Sequence, residues 1–429
     1  MTKRASFPLV KKELSSGLRV LLLPRSEGET VTLLVLIGVG SRYEAKKQSG
    51  LSHFLEHMFF KGTKTRPDKR EIAEAMDNIG AEFNAFTGEE VTGYYVKAAR
   101  EHLDLGADVV SDILLRSLFP AEEIERERGV IKEEIKMYTD SPMQHVHHLW
   151  RRALFGKQPL GRRIDGSAKT VSAFQRSDFV SYTKKHYHTG NAVVALAGNF
   201  DSDEALDKMQ LLFKELPQGE ETEPEAAREG PAERLVHERR ESLDQTHLVV
   251  GVPGVSLDDD RRFAANLLAI ILGGGMSSRL FMKVREKEGL AYAIRSSIDN
   301  FVDTGSLETQ AGLRTDRADF ALKLILQEYD RVMQEVVPAA EINKVKQMVR
   351  GHMVLELEET NSLAMFAGVQ ELLQNKVMTP HELWQRTQAV TAQDIQRVAQ
   401  DLLSPGRRAA ALLSPHESVN AFEQQLKTE

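Results

Sequence analysis

The chain carries two kinds of apolar pattern, one with the period of a strand and one with the period of a helix. Residues 18–24 and 31–39 are continuous apolar runs rich in β-branched side chains, which predicts two buried strands. The polar stretch between these runs is short, so we expect the two strands to pair as a hairpin. Residues 81–99 alternate in polarity about a turn at Gly88, which predicts a second hairpin.

Helical patterns fill most of the remaining first half. Apolar residues recur at helical spacing in residues 101–117 and 120–138. Pro120 suits a first helical turn, where its missing N–H costs nothing. Downstream we predict a helix ending at residue 155, a helix near 171–186, a strand at 192–197 and a helix at 202–216.

The composition changes abruptly after residue 216. Residues 217–234 are dominated by Glu, Pro, Gly and Ala and contain almost no large apolar side chain, which is typical of a linker. We therefore predict an N-terminal domain over 1–216 and a C-terminal domain over 235–429.

The second half repeats the order of the first. The apolar run 246–252 matches 31–37 at an offset of about 215 residues, and 409–413 matches 193–197 near the end of each half. Two tandem homologous α+β domains, each a mainly antiparallel sheet covered by helices, are the simplest interpretation.

Overall composition narrows the class of protein. The 429 residues are 41% hydrophobic and 28% charged, as in ordinary globular proteins. A net charge of -7 argues against nucleic acid as the main partner. No apolar stretch approaches the roughly 18 residues of a membrane span, and the N-terminus lacks the apolar core of a signal peptide. We predict a soluble, cytoplasmic chain that binds neither nucleic acid nor membrane.

The chemistry of the chain is concentrated in His53-Phe-Leu-Glu56-His57. On a helix, positions three and four apart share a face, so both imidazoles can bind one metal ion with Glu56 beside them. This H-x-x-E-H order is the inverted form of the H-E-x-x-H zinc-protease motif. The alternative is a polar helix end whose histidines are satisfied by packing.

The repeat argues against that alternative. The second half has Leu268, Ile271 and Leu272 where the first half has its two histidines and glutamate. A purely structural copy of this helix is therefore apolar, so the three polar residues of the first half are surplus to packing.

A catalytic zinc usually takes three protein ligands, and without cysteine the third must be His or a carboxylate. The predicted helix 120–138 has an apolar stripe made of Ile124, Ile131, Ile135 and Tyr138. Glu127 and Glu134 lie on the edge of this stripe, whereas Glu125 and Glu133 point away from it. We therefore predict Glu134 as the third ligand and Glu127 as a carboxylate that orients another ligand. With zinc bound, Glu56 is placed to take a proton from water and pass it to a leaving amine.

These segments closely resemble the pitrilysin-like zinc metallopeptidases, in particular the branch of the mitochondrial processing peptidase and its bacterial homologues. The resemblance rests on residues 53–63 and 127–134, and it implies zinc, one per chain, on both histidines and a glutamate about 77 residues downstream. The separation from His57 to Glu134 is 77. The implied activity is that of a zinc endopeptidase acting on peptides or unfolded segments bound in extended form.

The resemblance extends to the second half. Residues 273–280 and 284–292 resemble the family segment whose Arg and Tyr, here Arg285 and Tyr292, hold the substrate backbone. Asn84 and its neighbours resemble the edge strand along which the peptide pairs. Members of this branch often work as dimers, and because this chain carries both segments we expect a self-sufficient homodimer. The alternative is a non-catalytic scaffold or peptide-binding subunit of the same family, although no motif residue is missing here.

Two other patterns are weaker. His145, His147 and His148 lie beyond Pro142 without helical spacing to the motif, so we expect packing or surface roles. The run Gly273 to Gly275 lacks the Lys-Ser/Thr of a phosphate-binding P-loop.

Overall fold

The computed structural model describes residues 7–427. The first six residues, part of the segment in which we predict no signal peptide, lie outside the described residues. The strands are β1 Val10–Glu13, β2 Arg19–Pro24, β3 Thr30–Ile37, β4 Glu82–Thr87, β5 Thr92–Ala99, β6 Ala192–Gly198, β7 Leu235–Arg239, β8 Gln245–Pro253, β9 Ala291–Asn300, β10 Gly305–Arg314 and β11 Ala409–Ser414.

Helices account for most of the remaining regular structure. They are α1 Leu51–Met58, α2 Lys69–Asp77, α3 Leu103–Arg116, α4 Ala121–Asp140, α5 Pro142–Phe155, α6 Ala168–Ala173, α7 Arg176–His186, α8 Ser202–Leu212, α9 Arg262–Gly273, α10 Ala318–Gln334, α11 Ala339–Glu356, α12 Thr360–Gln374, α13 Pro380–Ala389, α14 Ala392–Leu402 and α15 Asn420–Lys427, with a π-helical segment at Phe281–Lys287. The helix predicted near 171–186 is in fact two helices, because Phe174 has an extended backbone and Gln175 caps the start of α7. No helix among the described residues is both long enough and apolar enough to cross a membrane.

The chain forms two compact units. The first comprises the residues up to Ile135 together with Arg163–Glu225 and His352–Pro380. The second comprises Lys136–Arg162, Ala226–Gly351 and the residues from His381 onwards.

The first unit is built on a six-stranded sheet in the order β1-β2-β6-β3-β5-β4. Neighbouring strands are antiparallel except β2 and β6, which are parallel. The predicted hairpin of the first two apolar runs is wrong, because β6 lies between β2 and β3. All seven residues of β6 are buried, and its apolar side chains alternate between the two faces of the sheet, so it suits a central position. The second predicted hairpin, β4 with β5, is confirmed.

The second unit is built on a five-stranded sheet in the order β7-β11-β8-β10-β9. Its strands match β2, β6, β3, β5 and β4 of the first sheet in order, and the one parallel pair, β7 with β11, matches β2 with β6. The predicted repeat of 246–252 on 31–37 and of 409–413 on 193–197 is confirmed by this shared topology. The α+β class with two similar sheets is likewise confirmed.

Each sheet is completed by a helix from the other half of the sequence. In the first unit, α12 packs on β3 and β6, with Leu363 and Ala367 against Leu34 and Ala195. In the second unit, α5 packs on β8 and β11, and its Trp150 is fully buried. The compact units are therefore discontinuous in sequence, whereas the division at 217–234 stays a prediction about the repeats.

Candidate metal centre

Helix α1 presents His53, Glu56 and His57 opposite its buried face. Phe54, Leu55 and Met58 are fully buried in the core of the first unit. His53 and His57 are half-buried, with side-chain exposures of 12% and 22%. The apolar residues therefore fix the rotation of the helix, and this rotation turns the imidazoles towards α4.

The N-terminus of α1 is held by a buried carboxylate. Glu44 accepts the backbone N–H groups of Gly50 (2.8 Å) and Ser52 (2.7 Å), which satisfies two donors that a helix start leaves free. Gly50 has φ 95°, and a Cβ there would lie 2.8 Å from the Asp165 carbonyl oxygen. A side chain at this position would thus displace the helix that carries both histidines.

The two histidines and Glu134 of α4 come together at the edge of the core. One ligating atom from each lies within 4.8 Å of the others, and theirs is the one such group of three or more potential ligands among residues 7–427. His53 Nε2 and His57 Nε2 each lie 3.6 Å from a different carboxylate oxygen of Glu134.

These separations fit a bound metal better than direct hydrogen bonds. A distance of 3.6 Å is too long for an N–H to carboxylate bond. Zinc bonds of about 2.0–2.2 Å at tetrahedral angles hold neighbouring ligand atoms roughly 3.3–3.6 Å apart. Two imidazole nitrogens and one carboxylate are also a zinc donor set that leaves a fourth position open. The residues present therefore fit zinc.

The electrostatics of His53 agree with a cation between these groups. Burial lowers the pKa of His53, but the nearby Glu134 carboxylate, with smaller contributions from Glu56 and Asp165, raises it above its ordinary value of 6.5. The site thus stabilises positive charge at this imidazole, which is also what a metal ion would bring.

Glu127 sets the orientation of the second histidine. Its Oε1 lies 2.9 Å from His57 Nδ1, and its Oε2 lies 2.7 Å from Lys61 Nζ. Burial raises the pKa of Glu127, but its hydrogen bonds to His57 and Lys61 lower this pKa by more. The net pKa lies below its ordinary value, so the carboxylate stays ionised. Since an ionised carboxylate only accepts, His57 donates from Nδ1 and keeps the Nε2 lone pair towards Glu134.

Glu56 is held by the edge of the sheet. The Thr87 hydroxyl, at the end of β4, donates to Glu56 Oε2 at 2.6 Å. Sequence reasoning missed both Thr87 and Lys61; the spacing of four residues from His57 to Lys61 was a signal for the lysine, whereas nothing local pointed to Thr87.

Strand β4 is the outer strand of the first sheet, as predicted for the segment around Asn84. Asn84 is exposed, and its side-chain oxygen accepts the N–H of Ala85 at 2.9 Å. That N–H is therefore directed at the open edge of the sheet.

Arg285 and Tyr292 lie together in the second unit. Arg285 belongs to the π-helical segment and Tyr292 to β9, the outer strand of the second sheet. The Arg285 guanidinium carbon is 4.7 Å from the centre of the Phe281 ring and 5.7 Å from that of Tyr292. Tyr292 is 79% exposed.

The other histidine cluster has structural partners. His145 Nε2 lies 2.8 Å from a Glu238 oxygen, and His147 Nδ1 lies 3.2 Å from Glu308, whose pKa is raised by burial. These histidines lie on α5 in the second unit, where they pair with the sheet below them.

Comparison with known proteins agrees with the geometry. The family model described as insulinase, peptidase family M16, matches residues 19–167, and the model described as peptidase M16 inactive domain matches residues 173–349. A relative from Streptomyces coelicolor, named an uncharacterized zinc protease, is 36% identical over 401 residues, which cover 92% of this chain and 87% of the relative.

Two solved structures share the fold. A protease from Helicobacter pylori superposes with a TM-score of 0.89 at 22% identity, covering 96% of this chain and 100% of that one. A chain of complex III2 from Candida albicans superposes with a TM-score of 0.82 at 17% identity, covering 97% and 99%. With the relative's identity extending over most of its length, the chain belongs to peptidase family M16.

Proposed function

We propose that this protein is a zinc-dependent endopeptidase that binds one zinc ion per chain and hydrolyses peptides or unfolded segments held in extended form, as a processing peptidase does. The observation that carries the proposal is the grouping of His53, His57 and Glu134 with Glu56 beside them. A helix with a purely structural role does not need this grouping. The positions of the second unit that match His53, Glu56 and His57 are the buried apolar residues Leu268, Ile271 and Leu272.

Zinc bound by these three residues would supply a Lewis acid that acidifies a water molecule and polarises the scissile carbonyl. Glu56 takes a proton from the attacking water and then donates it to the leaving amine. Thr87 holds one oxygen of Glu56, so the other oxygen makes both transfers from one position. Glu127 keeps the His57 ring in the orientation that leaves Nε2 free to bind the metal.

An extended substrate would add a strand to the open edge of β4. A peptide carbonyl could accept the Ala85 N–H once the Asn84 side chain turns away from it. Pairing through the backbone would hold a peptide of almost any sequence beside Thr87 and hence beside Glu56. We also propose that Arg285 and Tyr292 donate hydrogen bonds to carbonyl groups of the substrate backbone, since both side chains carry donors.

Two further features belong to this proposal. Because one chain carries both the metal residues and the Arg285 and Tyr292 pair, we propose a homodimer of self-sufficient subunits rather than a pair of specialised ones. A cytoplasmic location stays a prediction from the sequence.

The second candidate is a non-catalytic scaffold or peptide-binding subunit. The shared fold with a chain of complex III2 favours it. It predicts a chain that binds peptide without turnover, in which Glu56→Gln changes nothing.

Hydrolysis of an internally quenched peptide library by wild type and Glu56→Gln separates the two candidates. We expect about one zinc per chain in both proteins, turnover by wild type, and loss of turnover in the variant, because an amide cannot accept the proton. Purified wild-type protein that is folded, zinc-free and inert would favour the scaffold.

A further inference from the structure

Lys61 is connected through Glu127 to His57, one of the proposed zinc ligands. Its ammonium lies 2.7 Å from Glu127 Oε2, and Glu127 Oε1 lies 2.9 Å from His57 Nδ1. The side chains of Lys61 and Glu127 are only 19% and 8% exposed. These contacts are therefore largely shielded from water, and hydrogen bonds and ion pairs are electrostatically stronger in such an environment.

The two oxygens of Glu127 have different partners. Oε1 serves the His57 imidazole, and Oε2 is engaged by Lys61. Without the ammonium, this largely buried carboxylate would have one donor for two oxygens and would be free to turn about its last bond. The His57 ring would then lose the partner that fixes its tautomer and its direction.

The position of Lys61 is itself held by the main chain. Lys61 lies three residues beyond Met58, the last residue of α1, and its backbone N–H donates to the Met58 carbonyl at 3.2 Å. The backbone of Lys61 is thus tied to the C-terminal end of the helix that carries His57, while Glu127 belongs to α4. His57, in the last turn of α1, and Lys61, just beyond it, therefore both contact the Glu127 carboxylate.

We propose that Lys61 is a positioning residue that raises the affinity of the site for zinc by fixing Glu127 and, through it, His57. This inference rests on the proposed zinc site. A competing effect has the opposite sign, because a lysine near a metal repels it and its removal would tighten zinc binding. Glu127 lies between Lys61 and His57 and offsets the charge of the lysine, so we expect the positioning effect to dominate.

The test measures zinc dissociation constants by competition with a chromophoric chelator, on folded chains stripped of metal and titrated with zinc alone. For Lys61→Met we expect affinity to fall roughly 10-fold, at the lower end of the effect of removing an outer partner of a ligand. Lys61→Arg keeps the charge and a donor and should stay within about threefold of wild type.

Lys69→Met is the matched control. Lys69 also pairs with a glutamate of α4, Glu123, at 2.8 Å, but within residues 7–427 Glu123 forms ion pairs with Lys69 and Arg126 and none with a histidine. This variant should bind zinc as wild type does. Equal losses in Lys61→Met and Lys69→Met would mean a general effect on α4 and would overturn the proposal.

A double variant tests the route through Glu127. If Lys61 acts through that carboxylate, Lys61→Met should add little to the loss already caused by Glu127→Gln. Additive losses, or tighter zinc binding by Lys61→Met, would contradict the inference. Because zinc binding is measured without substrate, a protein that binds zinc but cleaves nothing would refute the proposed peptidase while leaving this test intact.

Discussion

The bond from Thr87 to Glu56 gives the sharpest prediction about catalysis. Thr87→Val keeps the shape and β-branching of the side chain but removes the hydroxyl that donates to Glu56 Oε2 at 2.6 Å. Glu56 then loses its anchor to the edge strand and samples more orientations around the site. Zinc binding should be unchanged, because the Thr87 hydroxyl donates to Glu56 and not to any of the three proposed ligands.

The size of the effect follows from the kind of bond. A hydrogen bond to a charged acceptor contributes about 1.5–3 kcal/mol, and about 1.4 kcal/mol corresponds to a tenfold change in rate. Thr87 and Glu56 are both half-buried, so water can replace part of the lost bond. We therefore expect kcat to fall about 10-fold rather than 100-fold, with KM little changed.

The assay is steady-state hydrolysis of a quenched peptide at saturating zinc, with zinc content measured on the same samples. Thr87→Ser should recover most of the activity because it restores the hydroxyl. Thr92→Val is the matched control: Thr92 faces Thr87 across the hairpin but donates to the Val39 carbonyl. A Thr87→Val enzyme with kcat within twofold of wild type would refute the role given to this bond.

Two further predictions concern the rest of the molecule. Burial lowers the pKa of His186 from 6.5 to about 4. Between pH 6.5 and pH 4 this histidine is therefore protonated in the unfolded state but neutral in the folded state. Stability to urea should therefore fall as pH drops from 6.5 towards 4, and His186→Gln should remove about 1 kcal/mol of that loss at pH 5. Phe281→Ala removes one ring beneath Arg285, so KM should rise about threefold at constant kcat, whereas Phe320→Ala, which removes the ring beneath Arg317 (4.6 Å), should leave KM unchanged.

The features that sequence predicted well are those that depend on local periodicity. The face of α1 and the edge position of Glu134 both follow from 3.6 residues per turn, and the repeat of 31–37 in 246–252 needs only comparison of two runs. These patterns hold whatever the tertiary structure does, because a helix turns its residues in a fixed order.

The features that it missed depend on which distant segments meet. β6 separates β2 from β3, although a short loop joins those strands, because β6 is the strand of this sheet in which every residue is buried, and such a strand suits an interior position. The exchange of α5 and α12 leaves no local sign, since each helix looks amphipathic wherever it packs. The contact between Thr87 and Glu56 depends on where the whole of β4 lies in the sheet, so it could be recognised only once the fold was known.

The identity of the third metal ligand tests the account most directly. Zinc per chain should be measured, after dialysis against limiting free zinc, for wild type, Glu134→Gln and Glu133→Gln, two changes at adjacent positions of α4. We predict about one zinc for wild type and for Glu133→Gln, which alters an exposed residue, and almost none for Glu134→Gln. A Glu134→Gln chain that holds as much zinc as wild type would contradict the proposed centre.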